Sequence, residues 1–130
     1  MKKILVNIVW NDNYGACSDL IPGCVATHTT IEGVKEAYIS ALEFHVEGSE
    51  YDELPDCLKE EYELEFELSV SALLHHYDKI LTRAALSRIT GINQRQLGHY
   101  LSGCRNPRKD KREIIINGLH KIGQEFLSVK

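Results

Sequence analysis

The stretch from Thr82 to Leu101, TRAALSRITGINQRQLGHYL, constrains this chain more than any other. Two short runs with helical spacing flank Gly91-Ile92-Asn93. Thr82 is of the N-cap type, and Leu81 and Leu86 stand at the two positions of a hydrophobic staple. Asn93 repeats the pattern. Gln96 lies three residues on and completes a capping box, while Ile92 and Leu97 form a second staple. Gly91 ends the first helix and supplies the positive φ of a tight turn. Two helices joined in this way make a helix-turn-helix. Leu86, Ile89, Ile92, Leu97, Tyr100 and Leu101 are expected to face inward, and small Ser87 to lie where the helices cross. Asn93, Gln94, Arg95, Gln96 and His99 are left on the outer side. These residue types suit DNA, with Arg reading guanine and Asn or Gln reading adenine. In such a motif the second helix enters the major groove N-terminus first, and Gly98 allows close backbone approach to the duplex. The plainer reading is a helical hairpin with a polar outer face.

The distribution of charge favours DNA. The net charge of −4 hides a division. Residues 1–70 carry four lysines against fifteen acids, a net −11, and residues 71–130 carry eleven Lys and Arg against four acids, a net +7. Such asymmetry implies a different partner for each half. The basic half suits phosphate, and the acidic half suits a basic partner. Cys17, Cys24, Cys57 and Cys104 form no C-x-x-C pair, so free thiols in a reducing cytoplasm are expected. The opening MKKILVNIVW resembles a signal peptide's head, but Asn7 interrupts it and no small-residue cleavage site follows. No segment approaches the roughly 20 apolar residues of a membrane span. The expected location is the cytoplasm, away from membranes.

Residues 3–10 alternate as a strand. Asn11-Asp12-Asn13 is a turn cluster, residues 14–20 a second strand, Pro22-Gly23 a turn and residues 24–28 a third strand. Thr29 is expected to cap a helix, with Glu32 completing a capping box. Val34, Ala37, Tyr38, Ala41 and Leu42 form its apolar stripe, and Gly48 its end. Residues 49–60 read as an acidic loop with room for one helical turn. Residues 61–68, EYELEFEL, alternate cleanly. Tyr62, Leu64, Phe66 and Leu68 share one face, and Glu61, Glu63, Glu65 and Glu67 the other. A row of glutamates self-repels. We therefore expect this face, with Asp56 and Glu60, to hold a basic protein partner, against the plainer reading of a solvated surface.

Residues 1–69 thus read as β-β-β-α-β and residues 70–130 as all-α, an α+β chain of two small domains. In the second, Val70, Leu73, Leu74 and Tyr77 mark a first helix. The helix-turn-helix follows, and Ser102-Gly103 closes it. Arg105, Arg108, Lys109, Lys111 and Arg112 form a basic cluster placed to grip phosphate. Pro107 suits the start of a last helix, whose stripe is Ile115, Leu119, Ile122 and Phe126.

Val9-Trp10, Tyr14-Gly15-Ala16, Asp19-Leu20-Ile21-Pro22-Gly23-Cys24 and Thr29-Thr30-Ile31-Glu32 with Ala37 resemble the first domain of HicB-type antitoxins of bacterial type II toxin–antitoxin systems. Ile21 between Leu20 and Pro22, and Gly33 where a second acid is common, depart from that pattern. TGINQRQLGHYLSG with Arg105-Asn106-Pro107 resembles the Xre-like DNA-binding domain that many such antitoxins append. The resemblance covers essentially the whole chain. It implies a partial RNase H-like domain that binds and neutralises a small basic mRNA-cleaving toxin, HicA-like. It also implies a C-terminal domain that forms a homodimer, with a tetramer left open, and represses its own operon by binding promoter DNA.

Nuclease chemistry in this chain itself is not expected. Metal-dependent cleavage needs clustered carboxylates, whereas Asp12 lies in a turn and Asp19 just before Pro22-Gly23. His28, His45, His75, His76 and His120 have no evident partner in sequence. No catalytic residue, metal or cofactor is expected. The alternative is a free-standing transcriptional regulator whose acidic domain senses a ligand or dimerises.

Overall fold

Strand β1 (Lys2–Asn11) organises the first part of the chain. Its alternation places Ile4, Val6 and Ile8 on one face, where all three are fully buried. The computed structural model describes residues 1–130 as an α+β protein with one four-stranded mixed sheet and five helices. The chain divides into two compact units, Met1–Ala72 and Leu73–Lys130.

In the first unit β2 (Asn13–Cys17) pairs antiparallel with β1, and β3 (Val25–His28) pairs antiparallel with β2. The β1–β2 turn closes on Asp12 alone, at φ 65°, a left-handed conformation that Asp tolerates better than most side chains. The second strand stops at Cys17 rather than continuing to residue 20. The buried Ser18 hydroxyl donates to the Leu5 carbonyl (2.7 Å) and accepts from the Leu20 N–H (3.3 Å), which turns the chain out of the sheet.

Helix α1 (Ile31–Glu47) is capped by Thr30, one residue later than the expected Thr29. Thr30 Oγ1 accepts from the Gly33 N–H (2.9 Å), and His28 Nδ1 accepts from the Thr30 N–H (3.1 Å). His28 thus does what the glutamate of a capping box would do. Gly33 is required beside it, because a Cβ there would run into the His28 ring. Ile31, Val34, Tyr38 and Leu42 are the buried stripe of α1, and Gly48 ends the helix.

Residues 49–60 contain two short 3₁₀ turns, at Tyr51–Glu53 and Asp56–Leu58. They are less solvated than their acids imply: Leu54, Cys57 and Leu58 are buried in the core with Ile4, Tyr14, Tyr38 and Leu42. Strand β4 (Tyr62–Leu68) then returns parallel to β1, giving the order β3-β2-β1-β4.

Helix α2 (Val70–Tyr77) starts where Ser69 Oγ accepts from the Ala72 N–H (3.1 Å). The unit boundary falls within α2, three residues beyond the Ser69 boundary expected from the sequence. Helices α3 (Arg83–Thr90), α4 (Gln94–Leu101) and α5 (Lys109–Leu127) follow, and α3 packs on both α4 and α5. Leu86, Ile92, Leu97, Tyr100 and Ile115 are buried. Ile89 is not inward as expected but sits at the rim of α3. The close helix approach is at Gly118 rather than Ser87. A Cβ on Gly118 would lie 3.0 Å from Ile89 Cγ2 and 3.4 Å from Thr90 Cγ2, so α5 passes the end of α3 there. Arg108 is the N-cap residue of α5, which puts Pro107 just outside the helix instead of at its first position.

Candidate nucleic-acid and protein interfaces

The connection between α3 and α4 is fixed by local hydrogen bonds. Thr82 Oγ1 accepts from the Ala85 N–H (3.1 Å) at the start of α3. At its end Gly91 adopts φ 76° and its N–H reaches the Ser87 carbonyl (2.8 Å), the left-handed C-terminal cap that glycine favours. The Thr90 hydroxyl donates to the Leu86 carbonyl (2.7 Å) and accepts from the Ile92 N–H (3.2 Å). Asn93 Oδ1 then accepts from the Gln96 N–H (2.8 Å) and opens α4. Leu97 and Tyr100 anchor α4 inward, which leaves Asn93, Gln94 and Arg95 exposed at its first turn.

Gln96 and His99 are placed differently from those three, since both are half-buried. The Gln96 amide does not reach back to the Asn93 N–H as a full capping box requires. It donates to the Tyr100 hydroxyl (2.6 Å). The His99 carbonyl accepts from the Arg105 N–H (3.3 Å) and the Ser102 hydroxyl (3.1 Å), which folds the segment after α4 back onto its last turn. That fold-back draws the basic cluster together. Arg105, Arg108 and Lys111 line a cleft of about 280 Å³ with Gln96, Tyr100, Asn106 and Asp110. Lys109 is exposed and Arg112 half-buried, and neither lines the cleft.

One cation escaped the sequence reading. Arg83, at the first position of α3, lays its guanidinium against Gly98 of α4. A Cβ on Gly98 would lie 2.8 Å from Arg83 Nη1. The space that the missing side chain leaves is therefore taken by an arginine of the same unit. No local signal links residues fifteen positions apart; only the pairing of an arginine at a helix start with a mid-helix glycine hints at it.

In the first unit, Glu61, Glu63, Glu65 and Glu67 are all exposed, and Tyr62, Leu64, Phe66 and Leu68 are half-buried beneath them. Tyr38 meets Phe66 edge-on with centroids 6.4 Å apart, and the Lys35 ammonium lies 5.7 Å from the Phe66 ring centre. The register sets Lys3 beside Glu63, Leu5 beside Glu65 and Asn7 beside Glu67. On the same face of β1, Leu5 beside Glu65 is 42% exposed and Val9, beyond the end of the β1–β4 pairing, 41%. Asp56 and Glu60 are exposed, and Lys59 Nζ lies 3.6 Å from Asp56 Oδ1.

No family model, curated protein or solved structure matches the chain.

Asp12 and Asp19 are exposed, and no three His, Cys, Asp or Glu side chains gather as a metal-holding group. Cys17, Cys24, Cys57 and Cys104 are free thiols. The buried Tyr38 hydroxyl finds no nitrogen or oxygen partner and lies beside the Cys24 thiol, a weak hydrogen-bonding group. Burial and the nearby Cys24 hold its phenol well above its ordinary value, and burial also pushes the Cys24 thiol up. No helix is long and apolar enough to cross a membrane.

Proposed function

We propose that this protein is an antitoxin of the HicB type. Its first unit binds and neutralises a small basic toxin that cleaves mRNA, and its second binds promoter DNA to repress its own operon. One observation carries the reading: the division of charge follows the division into units. Met1–Ala72 holds a net −11 and Leu73–Lys130 a net +7. A single surface serving one partner has no need of such segregation. An acidic unit for a cationic protein and a basic unit for phosphate each gain from it.

Local geometry supports each half of the reading. The order β-β-β-α-β, with β4 parallel to β1, supports a partial RNase H-like fold for the first unit. Helices α3 and α4, with their glycine turn and the exposed Asn93, Gln94 and Arg95, support a helix-turn-helix in the second. On that reading α4 is the recognition helix. Arg105, Arg108 and Lys109 approach the phosphates beside it, and a homodimer spans two half-sites about one helical turn apart or a multiple of it.

The test is co-expression of the full chain with the product of the adjacent small basic gene, followed by size exclusion and a toxicity assay. Co-elution with relief of toxicity is the expected result. A chain that neither binds nor relieves its neighbour is not an antitoxin. A second reading, a free-standing transcriptional regulator, rests on an open cleft of about 420 Å³ between the start of β3 and the end of α1. Cys24, Phe44 and His45 are among its lining residues. Operator affinity that responds to a small molecule, with no response to the neighbour, would select that reading.

A further inference from the structure

Strand β4 is the last strand of its sheet, and its backbone shows which groups that leaves over. The Glu61 carbonyl accepts from the Lys2 N–H (3.3 Å), and the Ser69 N–H donates to the Ile8 carbonyl (2.8 Å). The odd-numbered residues of this stretch therefore turn their backbone groups toward β1. Because a strand alternates, Tyr62, Leu64 and Phe66 turn their N–H and C=O groups the other way, to an edge where no strand of this chain follows. Their side chains, meanwhile, are half-buried on the inner face. The edge is regular over seven residues, YELEFEL, with no proline, glycine or bulge to interrupt it. An edge of this kind is a template for another strand.

We propose that the free edge of β4 is a strand-addition site that takes an extended basic segment of a partner protein as a fifth strand, its cations lying over the β4 glutamates. The proposal rests on the reading of the first unit as the holder of a basic partner and specifies how that partner is held. Charge decides the occupant. Side chains alternate with period 2. Any pairing with a second copy that keeps Leu64 and Phe66 on the inner face therefore sets glutamate opposite glutamate, in every register. Like charges directly opposite destabilise a pair of strands, and opposite charges stabilise it. The same row thus rejects this chain and selects a strand with Lys or Arg at alternate positions, while exposed Leu5 on the neighbouring strand extends the apolar part of that face.

The test uses the full chain and a capped peptide of alternating lysine and valine, about eight residues long to match the strand. A peptide of the same composition with its lysines in pairs is the control. Amide hydrogen exchange is followed by NMR. The alternating peptide is expected to slow the amides of Tyr62, Leu64 and Phe66 by at least about tenfold. It should leave Glu63 and Glu65, whose amides already face β1, little changed. The control peptide should bind more weakly and slow none of them. Glu63→Lys with Glu65→Lys is expected to weaken the alternating peptide about tenfold. Glu63→Gln with Glu65→Gln, which keeps size and removes charge, should weaken it less. Peptide binding with unchanged edge amides overturns strand addition, while the broader reading, judged by the neighbouring gene product, still stands. Absence of peptide binding overturns it as well. So does slowing of the same amides with rising protein concentration alone, because the occupant is then a second copy.

Discussion

Gly98→Ala separates stability from the proposed DNA binding of the second unit. The new Cβ would lie 2.8 Å from Arg83 Nη1 and 3.7 Å from Arg83 Cζ, and meets nothing else within 4 Å. Arg83 is exposed and its guanidinium ends a long flexible side chain, so it swings aside at little cost. Replacing a glycine inside a helix with alanine then gains about 0.5–1 kcal/mol. The melting temperature of the helical signal by circular dichroism should rise. Affinity for promoter DNA should move the other way. On the helix-turn-helix reading, Arg83 at the start of α3 and beside α4 is expected to add a phosphate contact, and displacing it from that seat loses a charge-assisted bond, costing on the order of 1.4 kcal/mol, or tenfold. Arg83→Ala should give the same loss and reduce the salt slope by about one. A double-mutant cycle then assigns the cause. If Gly98→Ala weakens binding further in the Arg83→Ala background, the methyl group itself meets the duplex. A fall in stability would mean that the methyl meets something that cannot yield. A rise in stability with unchanged DNA affinity would refute the role given to Arg83.

Other perturbations test separate parts of the argument. Asn93→Ala removes the cap of α4 and should cost about 1 kcal/mol of stability in denaturant titration; an unchanged midpoint would show that water replaces the cap at no cost. Arg95→Ala should weaken operator binding by about 1–3 kcal/mol and relax sequence preference at one base pair, whereas Lys109→Ala should weaken binding to all sequences alike. Equal losses on operator and random DNA for Arg95→Ala would reduce it to a phosphate contact. Tyr38→Phe removes a buried hydroxyl whose one polar neighbour is the weakly bonding Cys24 thiol and should stabilise the first unit by no more than about 1 kcal/mol. Burial and Cys24 raise the folded phenol above its ordinary 10.0. The unfolded chain therefore loses that proton first, and stability present below about pH 10 falls as pH rises beyond it. Cys24, raised from 9.0 by burial, adds a loss of the same sign from lower pH. Tyr38→Phe should flatten the alkaline decline read from Trp10 fluorescence, and a decline of undiminished slope would exclude the phenol as its cause.

What the sequence reveals here depends on how far apart the interacting residues stand. Thr82, Gly91 and Asn93 act on backbone groups within four residues, so their roles are readable from residue type and spacing alone. The α1 cap is also local, yet it reads one residue too early. Adjacent Thr29 and Thr30 look alike, and the deciding partner is a histidine where the pattern asks for glutamate. The end of β2 depends on Ser18 reaching Leu5, thirteen residues back, and no pattern in the strand itself announces it. Leu54, Cys57 and Leu58 have the spacing of a buried turn, but the acids around them mask it. Alternation identifies β4 and its two faces. It says nothing of β4 pairing parallel to β1 or of its place at the sheet edge. Arg83 against Gly98 is less legible still, because it follows from how two helices pack.

The glutamate row has a cost that can be worked out. Successive same-face residues on a strand lie about 6.6–6.8 Å apart. At that spacing two unit charges in water repel by about 0.6 kcal/mol before screening. Glu61, Glu63, Glu65 and Glu67 make three such neighbour pairs, so the row costs on the order of 2 kcal/mol at low salt, and Lys3 beside Glu63 returns part of it. A small domain has roughly 5–15 kcal/mol in hand, so it folds despite the row, and the row does not by itself demand a partner. It does demand salt sensitivity. The Debye length falls from about 30 Å at 0.01 M to about 3 Å at 1 M, below the charge spacing. Unfolding free energies from denaturant titration of the single tryptophan, Trp10, should therefore rise with salt in the parent chain by about 1–2 kcal/mol more than in Glu63→Gln with Glu65→Gln. Equal salt dependence in the two would mean that the side chains spread far enough apart in solvent to escape one another. Charge could then no longer be the reason that a second copy is kept off the β4 edge.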